Sequence, residues 1–289
     1  MISFFEALFN PLMPFLRNAL LAALLSSVLF GVLGTIVTVK RIASLAGAIS
    51  HAVLGGIGLA LFLSSTQLVP SFSPMVGAIL FALLAALIIG LVSLKAKQRE
   101  DTVINAIWAI GMSLGVLFMA KTPGYTDPTS YLFGNILLVS STDLWLMAVL
   151  DILLLIFIWL FYPQLEATSF DGEFAQVRGI STNVVFILIL SITAVAIVLL
   201  QTYVGIVMVI AMLTLPAGTA SFKAKNMLQM MILAWLYASL FSVGGLVMGW
   251  EFDLPVGAIV VVIAGSVFLI FSVVTMVKKK RVKKYDKSS

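Results

Sequence analysis

The sequence predicts an all-α protein, a polytopic transmembrane helical bundle of about nine spans. Three observations carry that prediction. Charged residues make up only 10% of the 289 and the mean hydropathy is +1.17, so a water-soluble chain could not cover its surface. The apolar runs are as long as a bilayer is thick. Lysine and arginine fall on alternate loops, as a chain threading back and forth through a membrane requires.

The spans lie near residues 14–39, 43–65, 74–94, 102–120, 142–162, 182–200, 204–222, 227–249 and 254–277. At about 1.5 Å per residue each crosses a hydrocarbon core of about 30 Å. Only "QTY" separates the sixth from the seventh, so one of that pair is expected to be broken or tilted. No long stretch lacks an apolar run, and residues 1–289 read as a single transmembrane domain. The first run lacks an A-x-A-like cleavage site and reads as a retained helix. With no cysteine in the chain, disulfides and thiolate metal sites are excluded.

Charge sets the orientation. With the C-terminus cytoplasmic and the N-terminus outside, fifteen Lys/Arg fall inside, among them Lys40, Arg41, Lys95, Lys97, Arg99, Arg178, Lys223, Lys225 and the tail 278–289. Only Arg17 and Lys121 fall outside or at the outer boundary. The tail "KKKRVKKYDKSS" reads as an anchor beside anionic lipid headgroups rather than a nucleic-acid contact.

Two stretches depart from simple spans. "DPTSYLFGNILLVSSTD", 127–143, holds an apolar run too short to cross and reads as re-entrant or interfacial, tolerated only if protein covers its backbone. "SFDGEFAQVRGI", 169–180, is polar and short. Asp171 suits a helix N-cap, Glu173 a first turn, and Gly179 a left-handed end. Such a helix is too short to stand alone, so it is expected to dock on another molecule.

Ionisable groups at bilayer depth are costly and usually functional. His51, the only histidine, lies about 15 Å beyond Lys40/Arg41, near mid-membrane. Asp151 lies at similar depth in its own span. Imidazole suits zinc and manganese, and a carboxylate suits both. Each also has a plainer reading, as a hydrogen-bonded packing histidine and as an aspartate paired with an amide or hydroxyl. Gly47, His51, Leu54, Gly55 and Gly58 share one helical face, whose small residues let another helix approach closely. Pro216 in "MLTLPAGTA" frees the Met212 carbonyl and bends a helix flanked by Thr214 and Thr219, which either lines a passage or is simply kinked. No P-loop motif, H-E-x-x-H or G-x-S-x-G is present, which argues against ATP binding through a P-loop and against an intramembrane enzyme.

Four pieces in order, "SLAGAISHAVLGGIGLAL", "DPTSYLFGNILLVSSTDL", "SFDGEFAQVRGI" and "VIAMLTLPAGTA", make the chain resemble the permease of the zinc/manganese class of bacterial ABC importers over about residues 10–277. The resemblance implies a permease homodimer in the plasma (inner) membrane of a bacterium or archaeon. A separate ATP-binding cassette ATPase and an extracytoplasmic metal-binding protein would be its partners. It also implies a transported zinc, manganese or iron ion with no permanent cofactor, and no nucleic acid. The coupling helix would comprise Phe170, Asp171, Glu173, Phe174, Val177, Arg178 and Gly179. The metal pathway is expected at His51, Ser50, Asp151 and Thr214, with His51 and Asp151 as ligands and Gly47, Gly55 and Gly58 packing the helix. Many family members carry an aspartate four residues before the histidine; here that position is Gly47. Either Asp151 supplies the missing carboxylate, or the ion is held more weakly, or the substrate differs. A permease for a metal chelate and an ion-coupled secondary transporter are the alternatives.

Overall fold

Continuous apolar sequence leaves the backbone no partner but itself inside a bilayer, so each span closes its hydrogen bonds as a helix. The computed structural model describes residues 3–95, 100–124, 131–132 and 134–285. The charges of Lys97 and Arg99, residues 127–130 of the short apolar stretch, and the side chains of the tail beyond Lys278 lie outside the described residues.

A short helix α1 (Phe4–Phe9) is followed by α2 (Pro14–Val39), α3 (Ala43–Ser65), α4 (Pro74–Lys95) and α5 (Glu100–Lys121). A 3-10 turn (Ile136–Leu138) leads into α6 (Ser141–Phe170), the short α7 (Gly172–Val177) and α8 (Thr182–Val204). The half-helices α9 (Ile206–Met212) and α10 (Leu215–Ser221), then α11 (Met227–Phe252) and α12 (Val256–Tyr285), complete the chain.

Among the described residues eight helices are long and apolar enough to span. The ninth expected span, 204–222, is instead the α9–α10 pair. Gly205 at φ 84° ends α8 and starts α9 in a conformation that favours glycine. Pro216 stands in the first turn of α10, so it opens a new helix rather than kinking a continuous one. The pair still crosses from one face to the other. On one face Asn18 donates to the Val139 carbonyl at 3.2 Å, Tyr203 to Asp143 at 2.8 Å, and the Phe4 N–H to Glu251 at 2.6 Å. On the opposite face Lys40 donates to the Thr168 carbonyl at 3.1 Å. These ties are consistent with helices that alternate in direction from one span to the next.

Within the bundle α2 packs on α11, α6 and α10, and α3 on α5, α4, α8 and α9. These two are the most enclosed spans. The α3 interfaces are glycine-made. A Cβ on Gly55 would lie 2.9 Å from the Gly111 carbonyl oxygen, and one on Gly58 would lie 2.6 Å from that of Gly115. Gly47 is the exception. It meets nothing within 4 Å and is not a packing glycine.

Three boundaries move from their expected places. α6 runs 30 residues, through Pro163, to Phe170, so Ser169 and Phe170 belong to it and the short polar helix shrinks to six residues. At about 45 Å, α6 outruns the hydrocarbon core and carries α7 beyond it. Asp143, expected in the short apolar stretch, is the N3 residue of α6 in a capping box with Ser140. The last helix continues into the basic tail. Ile136 and Val139 of the short stretch are buried, and the 3-10 turn packs on α2 and α8, so protein covers this backbone.

Candidate functional site

His51 sits mid-way along α3 on the side that meets α5. The glycine contacts draw the two helices together there, and the imidazole packs against the indole of Trp108 with ring centroids 5.0 Å apart and planes inclined 34°. The ring is half-buried, and its Nδ1 is buried with no hydrogen-bond partner. A buried polar atom left unpaired costs about 1–3 kcal/mol. One turn earlier along α3, Gly47 leaves open space.

The other expected pathway residues are not gathered around it. Ser50 is fully buried and donates to the Ala46 carbonyl of its own helix at 3.0 Å. Thr214, at the α9–α10 break, donates back to the Ile210 and Ala211 carbonyls, each at 3.1 Å. Asp151 is 4% exposed with neither carboxylate oxygen hydrogen-bonded. Its helix α6 packs on α2, α7 and α8, whereas α3 packs on α4, α5, α8 and α9. The two helices share α2 and α8 as neighbours, but the ring of His51 faces Trp108 of α5, which is not among the main neighbours of α6. Among the described residues no three His, Cys, Asp or Glu side chains come together in a group that could hold a metal. Among the described residues the arrangement is a lone imidazole against an indole rather than a cage.

At the far end of α6 the polar stretch takes the local form its residues dictate. Asp171 caps α7 by accepting the Phe174 N–H at 2.9 Å, Glu173 stands in the first turn, and Gly179 takes φ 81°. Ala175 is buried and seats the helix on the bundle. Phe170, Phe174 and Val177 are 66%, 50% and 89% exposed, an apolar face that nothing in this chain covers. Arg178 lies over the Phe174 ring, 5.0 Å from its centroid.

Sequence reasoning passed over Trp108. Its signal was present, since Trp108, Gly111 and Gly115 recur at three and four residues and so share the α5 face that meets α3.

The described residues form an all-helical bundle with eight helices long and apolar enough to cross a membrane, the fold of a polytopic membrane protein. Sequence comparison is specific. The chain belongs to the ABC 3 transport family, whose profile matches residues 12–275. It is 36% identical to the probable metal transport system membrane protein of Chlamydia muridarum, over 93% of this chain and 90% of that one. It is 34% identical to the manganese import system permease protein ScaB of Streptococcus gordonii, over 89% and 90% of the two chains. Among solved structures it is similar to PsaBC from Streptococcus pneumoniae in complex with Fab, with TM-score 0.81 and 32% identity over 93% of this chain and 94% of that one.

Proposed function

We propose that this chain is the membrane permease of an ATP-driven importer of divalent metal ions, with manganese the best-supported cargo. The observation that carries the reading is near-full-length similarity to relatives named as manganese and metal permeases. The ion passes His51, whose unpaired ring nitrogen and open flank at Gly47 suit a brief contact. A single imidazole completed by water or backbone oxygens binds loosely enough to release. A four-ligand cage would retain the ion.

The chain works as a homodimer, and ATP is hydrolysed on a separate cassette subunit that docks on the exposed face of α7. Phe174 is the anchor of that contact, with Phe170 and Val177 beside it. The α7 face is cytoplasmic, where the Lys40/Arg41 turn and the tail meet the positive-inside rule. An extracytoplasmic binding protein delivers the metal to the opposite face, and the cargo is substrate rather than cofactor.

The test is reconstitution with a cassette ATPase in vesicles. Uptake of manganese that requires ATP on the α7 side is the expected result. Uptake driven by an ion gradient without the ATPase would refute it.

A further inference from the structure

At the α7 end of the bundle, the turn between α2 and α3 and the last turn of α6 flank an open cleft of about 500 Å³. Lys40, Arg41 and Ile42 form one wall, Thr168 and Ser169 another, and Phe186 of α8 closes the side. Two of these residues are cations and none is an acid. The neighbouring carboxylates are engaged elsewhere: Glu166 accepts from the Tyr162 hydroxyl and Asp171 caps α7.

The wall is electropositive by construction. Lys40 spends one N–H on the Thr168 carbonyl, and among the described residues it forms no ion pair. Burial holds its ammonium below the ordinary lysine range, the mark of a charge without a counter-ion. Arg41 is held at φ 59°, which a non-glycine residue rarely adopts. α3 also starts at this wall, with Ile42 as its N-cap, no side-chain cap bond and no acid in its first turn. The positive end of a 23-residue helix is thus added to two side-chain cations.

We propose that this cavity binds the phosphate headgroup of an anionic phospholipid. A lipid is favoured because the spanning helix α2 ends at the cavity and the apolar side chains of Val39 and Phe186 line it beside the cations. Phe170 lines the cavity and is 66% exposed, an apolar rim beside the two cations. Basic pockets between helices at a membrane face are typical headgroup sites. The bound phosphate joins the α2–α3 turn to the end of α6, which continues through Asp171 into α7. The site therefore sits at the joint between the exposed docking helix and the helix that carries His51.

Binding is read without transport, so the test is independent of the metal reading. The full-length chain, purified in detergent, is titrated with phosphatidylglycerol, phosphatidylcholine and inorganic phosphate while lipid retention and thermal unfolding are followed. Phosphatidylglycerol is expected to be retained over phosphatidylcholine and to raise the unfolding temperature. Arg41→Gly removes one cation while relieving the positive φ, so the fold tolerates it. It is expected to weaken phosphatidylglycerol binding about tenfold, the loss of one charge-assisted hydrogen bond. Lys40→Gln, which keeps a donor for Thr168, gives a second reading of the same loss. The control Lys225→Gln/Lys278→Gln removes two cations from the same face and leaves binding unchanged. Equal weakening by the control would reduce the effect to general surface charge and overturn the site. Phosphatidylglycerol binding unaltered in both Arg41→Gly and Lys40→Gln would do the same. Inorganic phosphate that displaces the lipid at matched concentration, and stabilises the chain as well, would overturn the lipid as occupant.

Discussion

The imidazole of His51 and the indole of Trp108 face one another across the α3–α5 interface at a centroid distance of 5.0 Å. The contact gives His51 a packing role as well as the proposed metal role, and one substitution separates the two. His51→Phe keeps an aromatic ring against Trp108, preserving the about 0.5–1.5 kcal/mol such pairs contribute, but removes both ring nitrogens. The expected result is a protein with near wild-type thermal stability and metal uptake reduced at least about tenfold. His51→Ala should lose uptake equally and some stability besides. Uptake and unfolding temperature measured on the same preparations decide the matter. Normal uptake by His51→Phe would leave the histidine a packing residue.

The glycines of α3 predict a second contrast. A methyl on Gly58 would meet the Gly115 backbone within 2.6 to 3.1 Å, whereas one on Gly47 meets nothing. Gly58→Ala must push α3 from α5 and is expected to cost about 1–3 kcal/mol. Gly47→Ala is expected to be neutral or stabilising, since alanine is about 1 kcal/mol better than glycine within a helix. Thermal unfolding of the two variants side by side checks the order. Equal destabilisation would mean that position 47 is packed.

Much of this architecture was legible before any coordinates. Hydropathy located the eight long spans, and the segment of the shorter pair, because hydrocarbon leaves the backbone no alternative to a helix. Asp171, Glu173 and Gly179 announced a short helix because caps and left-handed ends are local chemistry. The break in the seventh crossing was half legible. Pro216 was visible, but the outer break belongs to Gly205, where Gly134 approaches the chain closely. Such an approach depends on which segments meet. The same limit hid the separation of His51 from Asp151. An approximate depth can be read from each helix alone, whereas which side chains meet is set by how α3 and α6 are arranged around α2 and α8. Gly47 was assigned to the packed face by its spacing from Gly55, but a Cβ at Gly47 meets nothing whereas those at Gly55 and Gly58 meet α5.

The exposed face of α7 makes a prediction about coupling. Phe174 is half exposed and holds little of the fold together, so Phe174→Ala is expected to shift thermal stability by less than about 0.5 kcal/mol. If it anchors the ATPase, its loss should weaken association by about 2 kcal/mol or more, roughly 30-fold. Co-purification with a cassette ATPase, and ATP-driven uptake, report the two halves. Unchanged association with unchanged uptake would remove Phe174 from the interface.

The last prediction concerns the space beside His51. Gly47 lies one helical turn from His51, four residues earlier, so the two positions lie on neighbouring turns of one face. A Cβ there would meet no atom of another residue within 4 Å, so a side chain can start from this position. Gly47→Asp would therefore place a second oxygen donor next to the imidazole without disturbing α5. Carboxylate and imidazole together suit manganese and zinc better than imidazole alone. The expected outcome is metal binding at least about tenfold tighter, equivalent to about 1.4 kcal/mol. Slower turnover should follow if release becomes limiting, and both gains should vanish in the double variant with His51→Phe. Titration with manganese in the purified complex measures the affinity, and vesicle uptake measures the rate. Tighter binding that survives the loss of His51 would place the new carboxylate on a site of its own, away from the histidine.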